Sequence, residues 1–321
     1  MTRFISVAVV IPCYQVKKHI AGVLRAIGPE CSHIFVVDDC CKEGSGLYVE
    51  SLQLDPRIKV LYHSQNRGVG GAVMTGYRAA LEAGAEIIVK IDGDGQMDPA
   101  LIPKFIAPIA RGEADYTKGN RFYTLYNVRH MPKVRLFGNS VLSFITKFST
   151  GYWSIFDPTN GYTAIHASAL RQLELKNISE RYFFESDMLS NLGGIRAVVR
   201  DIPMEAIYGD EKSHLRIKTV VGEFLFKHVR EFLKRITYSY FLRDFNIVSL
   251  NMVFGFLFMT FGGVFGLIAW WGSIKTGMPA TTGTVMVATL PIILGFQLLL
   301  SWISYDIANE PSIPLQRVMN D

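Results

Sequence analysis

The chain has 321 residues, 49% of them hydrophobic, and 33 basic against 28 acidic side chains give it a net charge of +5. That length and apolar content exclude a disordered chain or a small disulfide-stapled one, and leave apolar sequence beyond the needs of a single globular core. The modest positive balance does not call for a nucleic-acid partner, because its basic residues gather in one stretch that a membrane surface explains.

The first predicted element is a buried strand, Ser6-Val7-Ala8-Val9-Val10-Ile11, closed by Pro12-Cys13-Tyr14, and helical spacing follows from Lys17 to Ala26. The apolar run is too short for a signal-peptide core, so roughly the first 240 residues are expected to stay in the cytoplasm. Cys13, Cys31, Cys40 and Cys41 lack zinc spacing and read as reduced thiols. A second strand, His33 to Val37, ends on Asp38-Asp39. A third, Ile58 to Tyr62, is followed by Asn66-Arg67-Gly68-Val69-Gly70-Gly71-Ala72 and a helix through Tyr77, Ala80 and Leu81. The glycine cluster only superficially matches a dinucleotide fingerprint, since Val73 takes the third glycine position and the cluster follows the third strand. Its expected role is to let the helix pack close to the sheet.

The fourth strand, Ile87 to Ile91, stops at Asp92-Gly93-Asp94-Gly95-Gln96. Two carboxylates spaced i, i+2 around a glycine at a strand end suit a metal site. Asp92, Asp94 and the amide oxygen of Gln96 offer hard oxygen ligands, and an ion held by so few protein groups keeps room for substrate phosphates. Strands alternating with helices at this spacing predict an α/β fold, a mostly parallel sheet with helices on both faces and ligands gathered at the carboxyl ends of the strands.

Beyond this point, Ala114 to Phe122 reads as another strand leading to a basic loop with Arg121. Lys133, Arg135 and Gly138-Asn139 precede an apolar helix from Val141 to Phe148, where cations and a helix N-terminus together suit an anion. Asp157-Pro158 is turn-prone, and the helix opening near Arg181 carries Glu185 and Asp187 in its first turn, placed either to touch a ligand or to stabilise the helix dipole. Apolar residues at helical spacing from Ile217 to Ile236, with Lys227, Arg230 and Lys234 on another face, predict an amphipathic helix lying on a membrane.

No charged residue occurs from Ile247 to Ile274, nor from Thr276 to Tyr305. Each stretch exceeds the roughly 20 residues a membrane-spanning helix needs, so two transmembrane helices are expected. The basic cluster between Lys212 and Arg243 puts the preceding chain on the cytoplasmic side by the positive-inside rule. Gly255, Gly262, Gly263 and Gly266 would let membrane helices pack closely and allow self-association. The expected layout is a cytoplasmic α/β domain over 1–215, juxtamembrane amphipathic helices over 216–245, a transmembrane hairpin over 246–307 and a cytoplasmic tail over 308–321.

Four stretches, Val9 to Tyr14, Val36 to Asp39, Asn66 to Ala72 and Asp92 to Pro99, together resemble family 2 glycosyltransferases with the GT-A fold. Within that family they most resemble the dolichyl-phosphate mannose synthase and bacterial polyprenyl-phosphate glycosyltransferase branch. The resemblance implies that Pro12 and Tyr14 line the nucleotide base and that Asp38 and Asp39 hydrogen-bond base or ribose. It implies catalytic roles for Asp94, Arg121 and Asp157, with Arg121, Lys133 and Arg135 meeting the acceptor phosphate. One of Glu185 and Asp187 would touch the donor sugar, and Lys212 and Ser213 its diphosphate. The sequence departs from the family at Gln15-Val16, at Cys40-Cys41 and around Tyr208 to His214, and the last departure favours a UDP-sugar over GDP-mannose.

The implied reaction is an inverting transfer, dependent on Mg²⁺ or Mn²⁺, from a nucleotide-diphosphate sugar to a polyprenyl (undecaprenyl) phosphate at the cytoplasmic face of the inner membrane. The alternative acceptor is a hydroxyl of a lipid-linked saccharide or polysaccharide, which would need a real base. The Gln-x-x-Arg-Trp motif and additional spans usual in processive synthases are absent from this sequence.

Overall fold

The structure, a computed structural model, describes residues 5–124, 128–129, 133–205 and 217–319, the side chains of 134–135 and 217–221 apart. The chain divides into two compact units, Met1–Phe232 with Pro311–Asp321 and, separately, Leu233–Glu310.

The first unit is built on seven strands: β1 (Val7–Cys13), β2 (His33–Asp38), β3 (Ile58–Tyr62), β4 (Ile87–Lys90), β5 (Tyr116–Asn120), β6 (Thr163–His166) and β7 (Val199–Pro203). They lie in the order β3-β2-β1-β4-β6-β5-β7. All pairings are parallel except those of β6, which runs antiparallel to both β4 and β5. The strand alternation of β1 explains the two-sided core. Val7, Val9, Ile11 and Cys13 face α1 (Ile20–Ala26), α2 (Ser45–Leu52) and, later in the chain, α4 (Ile102–Ala110). Ala8 and Val10 belong to the opposite core, with residues of α3 (Gly68–Glu82), α6 (Ala167–Gln172) and α7 (Phe184–Gly194). Each fully buried Val, Leu or Ile contributes about 1.5–3 kcal/mol, so a sheet covered on both faces carries most of the unit's stability.

Two local features differ from expectation. The glycines that open α3 do not close on the sheet. A Cβ on Gly70 would run into the carbonyl oxygen of Ser179 and lie 3.0 Å from the carbonyl carbon of Glu180, so the helix start is pressed against the chain leading to α7. Contact with the sheet comes later, at Gly76, where a Cβ would meet Val10. The apolar helix expected from Val141 is also longer, α5 running over Lys133–Thr150.

The chain after Glu310 belongs again to the first unit. Asp115 is fully buried, and its carboxylate accepts from the backbone N–H of Val198 (2.8 Å), of Leu315 (2.9 Å) and of Gln316 (3.3 Å). Gln316 Nε2 donates to the carbonyls of Ala114 (2.8 Å) and Ile109 (3.0 Å). The expected amphipathic helix is α8 (Ile217–Ile236); His228 is buried at 2.8 Å from Ser149 Oγ, and Phe224 packs edge-on against Phe183.

In the second unit a π-helical stretch, Thr237–Arg243, precedes α9 (Ile247–Thr276) and α10 (Thr282–Ala308), which contain 18-residue stretches of mean hydropathy 2.1 and 2.0. Both are long and apolar enough to cross a membrane. Asn246 and Ser249 form a capping box at the start of α9, and Gly277, at φ +68°, ends it. Gly255 and Gly262 are consumed within this hairpin: a Cβ on Gly262 would lie 2.6 Å from the carbonyl oxygen of Ala288, and one on Gly255 2.8 Å from Leu299. Gly263 has open space around it. At the polar end of the hairpin, Asp306 holds Arg235 (2.7 and 3.1 Å) and the Tyr240 hydroxyl (2.6 Å).

Candidate active site

A cleft of about 700 Å³ opens at the carboxyl ends of β1, β2 and β4. It brings together Pro12 and Tyr14 after β1, Asp39 after β2, Asn66 and Gly68 before α3, and Asp92 and Asp94 after β4. Residues from four separated sequence motifs therefore share one wall, as a sheet with ligands at its carboxyl edge requires. Arg181 and Tyr182 complete the rim. Their part was missed in the sequence because that stretch was read for its carboxylates.

The two aspartates of the β2 end diverge. Asp39 lines the cleft, but its carboxylate accepts from the backbone N–H of Gly68 (2.7 Å) and Arg67 (2.8 Å) and pairs with His63 Nδ1 (2.7 Å). It thus fixes the N-terminus of α3 at the cleft wall. Asp38 points the other way and accepts from the backbone N–H of Gly46 (2.6 Å) and Cys41 (2.7 Å). Adjacent residues on an extended chain face opposite sides, which accounts for the split.

Asp94 Oδ1 accepts from the Gln96 backbone N–H at 2.9 Å, and Asp92 Oδ1 pairs with Lys90 Nζ at 2.7 Å. Gln96 does not line the cleft. Among the described residues no group of three or more His, Cys, Asp or Glu side chains forms a closed metal cage. Two carboxylates on an open wall fit a hard divalent ion that takes its remaining ligands from water and substrate phosphate.

Arg121 and Asp157 form a fork-to-fork pair: Nε donates to Oδ2 at 2.7 Å and Nη2 to Oδ1 at 2.8 Å. Asp157 is fully buried, and its Oδ2 also accepts from Asn160 Nδ2 at 3.3 Å and from the Arg121 backbone N–H at 3.2 Å. The strand end is fixed from below by Asp201 of β7, which takes Asn120 Nδ2 at 2.6 Å. Burial pushes the Asp201 carboxyl up to about 6. Lys118, two residues before Asn120, is buried and donates to the Asn160 carbonyl, and burial brings its ammonium down to about 8.

Burial also raises the Glu185 carboxyl, against the pull of Lys90 and Lys118. Asp187 faces inward, accepting from the Ser179 backbone N–H (2.7 Å) and Asn191 Nδ2 (3.3 Å). Lys133 is exposed at the start of α5, where the side chain of Arg135 is not described. Lys212 and Ser213 lie outside the described residues.

Residues 8–174 match the family model for glycosyl transferase family 2. The chain belongs to that family. This glycosyltransferase is 29% identical over 231 residues to a UDP-N-acetylglucosamine–dolichyl-phosphate N-acetylglucosaminyltransferase of Methanococcus voltae, covering 68% of this chain and 92% of the relative. It is 28% identical to an undecaprenyl-phosphate mannosyltransferase of Micrococcus luteus, over 68% of this chain and 90% of that one. A dolichol-phosphate mannosyltransferase of Pyrococcus furiosus matches at 24% over 300 residues, 91% of this chain and 79% of the relative. Among solved structures, glucosyl-3-phosphoglycerate synthase from Mycobacterium tuberculosis with UDP superposes with a TM-score of 0.54 at 16% identity, covering 72% and 79% of the two chains. A structure of the same synthase, with Mn²⁺, UDP and phosphoglyceric acid, gives 0.54 at 15% identity, over 72% and 78%. The shared architecture is the GT-A fold.

Proposed function

We propose that this glycosyltransferase moves one sugar from a nucleotide-diphosphate donor, a UDP-sugar by preference, to a polyprenyl phosphate at the cytoplasmic face of a membrane. Its relatives named for dolichyl and undecaprenyl phosphate support the acceptor class, and its two membrane-length helices support the location. The observation that carries the reading is the engagement of Asp157. Its buried carboxylate is spent on the Arg121 guanidinium and on neighbouring N–H groups, which suits an acceptor that is already anionic and needs positioning more than deprotonation.

In this reaction an oxygen of the lipid phosphate attacks the anomeric carbon as the bond to the donor diphosphate breaks. The nucleoside diphosphate leaves, and the configuration inverts. Pro12 and Tyr14 bind the base, and the Asp39 wall beside Asn66 holds the ribose side of the cleft. When bound at Asp92 and Asp94, Mg²⁺ or Mn²⁺ supplies neutralising charge for the diphosphate. Arg121, its guanidinium plane fixed by Asp157, would supply charge to the anionic groups although it does not line the cleft wall, and Lys133, Arg135, Lys212 and Ser213 remain candidates for further phosphate contacts.

The test is release of nucleoside diphosphate from a panel of UDP- and GDP-sugars by the full-length protein in detergent. The expected result is release from one donor that requires both a divalent cation and polyprenyl phosphate and is lost in Asp94→Ala. Release that is equal with and without chelator, or unaffected by Asp94→Ala, would contradict the assignment of the acidic pair.

A further inference from the structure

Lys90 is the last residue of β4 and is 1% exposed. Its backbone neighbours are Val10 of β1 on one side and Thr163 of β6 on the other, both within the sheet. The surrounding run, Ile87-Ile88-Val89 and Ile91, is apolar, and an apolar residue at this position would satisfy the strand. An ammonium buried there costs several kcal/mol unless it is well paired. The pairing is with Asp92 Oδ1 at 2.7 Å.

That ion pair divides the two oxygens of Asp92. Oδ1 is engaged by Lys90, and Asp92 lines the cleft, so a ligand there meets a carboxylate of which one oxygen is already paired. Gly161, from the segment that also carries Asp157 and Asn160, is fitted to this pair. A Cβ at Gly161 would collide with Lys90 Nζ and come within 3.0 Å of Asp92 Oδ2. Two stretches far apart in sequence, the β4 end and the 157–161 segment, therefore meet at one buried ammonium.

The geometry points to Lys90 as a positioning residue for the cation site: it restricts Asp92 to a single available oxygen and, by its fixed positive charge, keeps divalent-cation binding weak in the absence of the nucleotide diphosphate. The inference rests on the reading of Asp92 and Asp94 as cation ligands. A free carboxylate at Asp92 would bind a divalent ion more tightly and with both oxygens. The ion would then sit in a different place relative to the diphosphate, so tighter binding goes with slower turnover.

The test measures Mn²⁺ affinity without nucleotide, by the electron paramagnetic resonance signal of free Mn²⁺, alongside kcat with saturating donor and acceptor. Lys90→Met is expected to bind Mn²⁺ about tenfold more tightly, the effect of roughly one pK unit of removed charge, while kcat falls at least tenfold. Lys90→Gln, which removes the charge and keeps a polar side chain of similar reach against Asp92, is expected to shift both quantities in the same directions, and it carries the test if Lys90→Met does not fold. A loosened or misfolded site would weaken Mn²⁺ binding and turnover together, so unchanged or weaker binding in both variants overturns the role of Lys90. If, with nucleoside diphosphate added, the wild-type protein still binds no Mn²⁺, or binds it equally well as Asp94→Ala, the reading of the acidic pair fails first and takes this one with it.

Discussion

Asp157 shows how a single contact changes what a residue can do. A carboxylate near a reaction centre reads as a base, but that of Asp157 is held through both oxygens by Arg121, which supports the proposed positioning role. Asp157→Asn is therefore expected to lower turnover less than tenfold while reducing thermal stability, because it removes the charge of a carboxylate that a partly buried guanidinium holds through both oxygens. A fall of a thousandfold with unchanged melting temperature would instead show proton transfer. Asp201 offers a pH test. Its carboxyl is raised by burial to about 6, so the native state favours the protonated form. Its contribution is fully present below the ordinary carboxylate range and is lost as pH rises through about 6. Asp201→Asn should consequently melt higher than wild type at pH 7.5 and lose that advantage by pH 4; an equal difference at both values would exclude it. At this scale the sequence was legible for residue types and spacing but not for direction. Asp38 and Asp39 are neighbours with opposite facings, and Lys90 sits in an apolar run where nothing but the folded sheet shows that its charge is buried against Asp92.

The elements were more legible, because burial on two faces leaves a long apolar signature. β1 to β4 coincide with apolar runs, and α1 and α3 follow at helical spacing. β6 was not foreseen: four residues, Thr163–His166, are too few to show a period, and only pairing with β4 and β5 defines them as an antiparallel strand. The seven-residue π-helical stretch after α8 likewise has no signal in the residue pattern. The glycines of α3 were legible as close-contact positions, but their partners were not, since Gly70 meets the chain before α7 and Gly76 meets Val10 of β1. A Gly76→Ala change places a Cβ against both γ-methyls of Val10, one of them at 3.0 Å, inside the core shared by α3 and the sheet. Overpacking of this kind costs about 1–3 kcal/mol. A lower denaturation midpoint with an unchanged denaturant slope is expected; an unchanged midpoint would mean that α3 shifts without cost.

On the scale of the whole molecule, sequence composition alone separates a catalytic unit from an apolar hairpin, and the structure assigns residues from Pro311 onward to the catalytic unit through buried Asp115. That return was not visible in the sequence, because the tail carries no pattern of its own and is held by backbone N–H groups of Leu315 and Gln316. The apolar faces of α9 and α10 remain largely uncovered, as helices surrounded by lipid require. A glycosyltransferase so built is suited to an acceptor that lies in the bilayer. The most direct test is mass spectrometry of the lipid product formed by the full-length protein with undecaprenyl phosphate and the donor it consumes. The expected product is the lipid phosphate carrying one sugar, in the anomeric configuration opposite to that of the donor. If the lipid phosphate stays unmodified while a lipid-linked saccharide is extended by the same donor, the acceptor is a sugar hydroxyl and the proposed reaction is wrong.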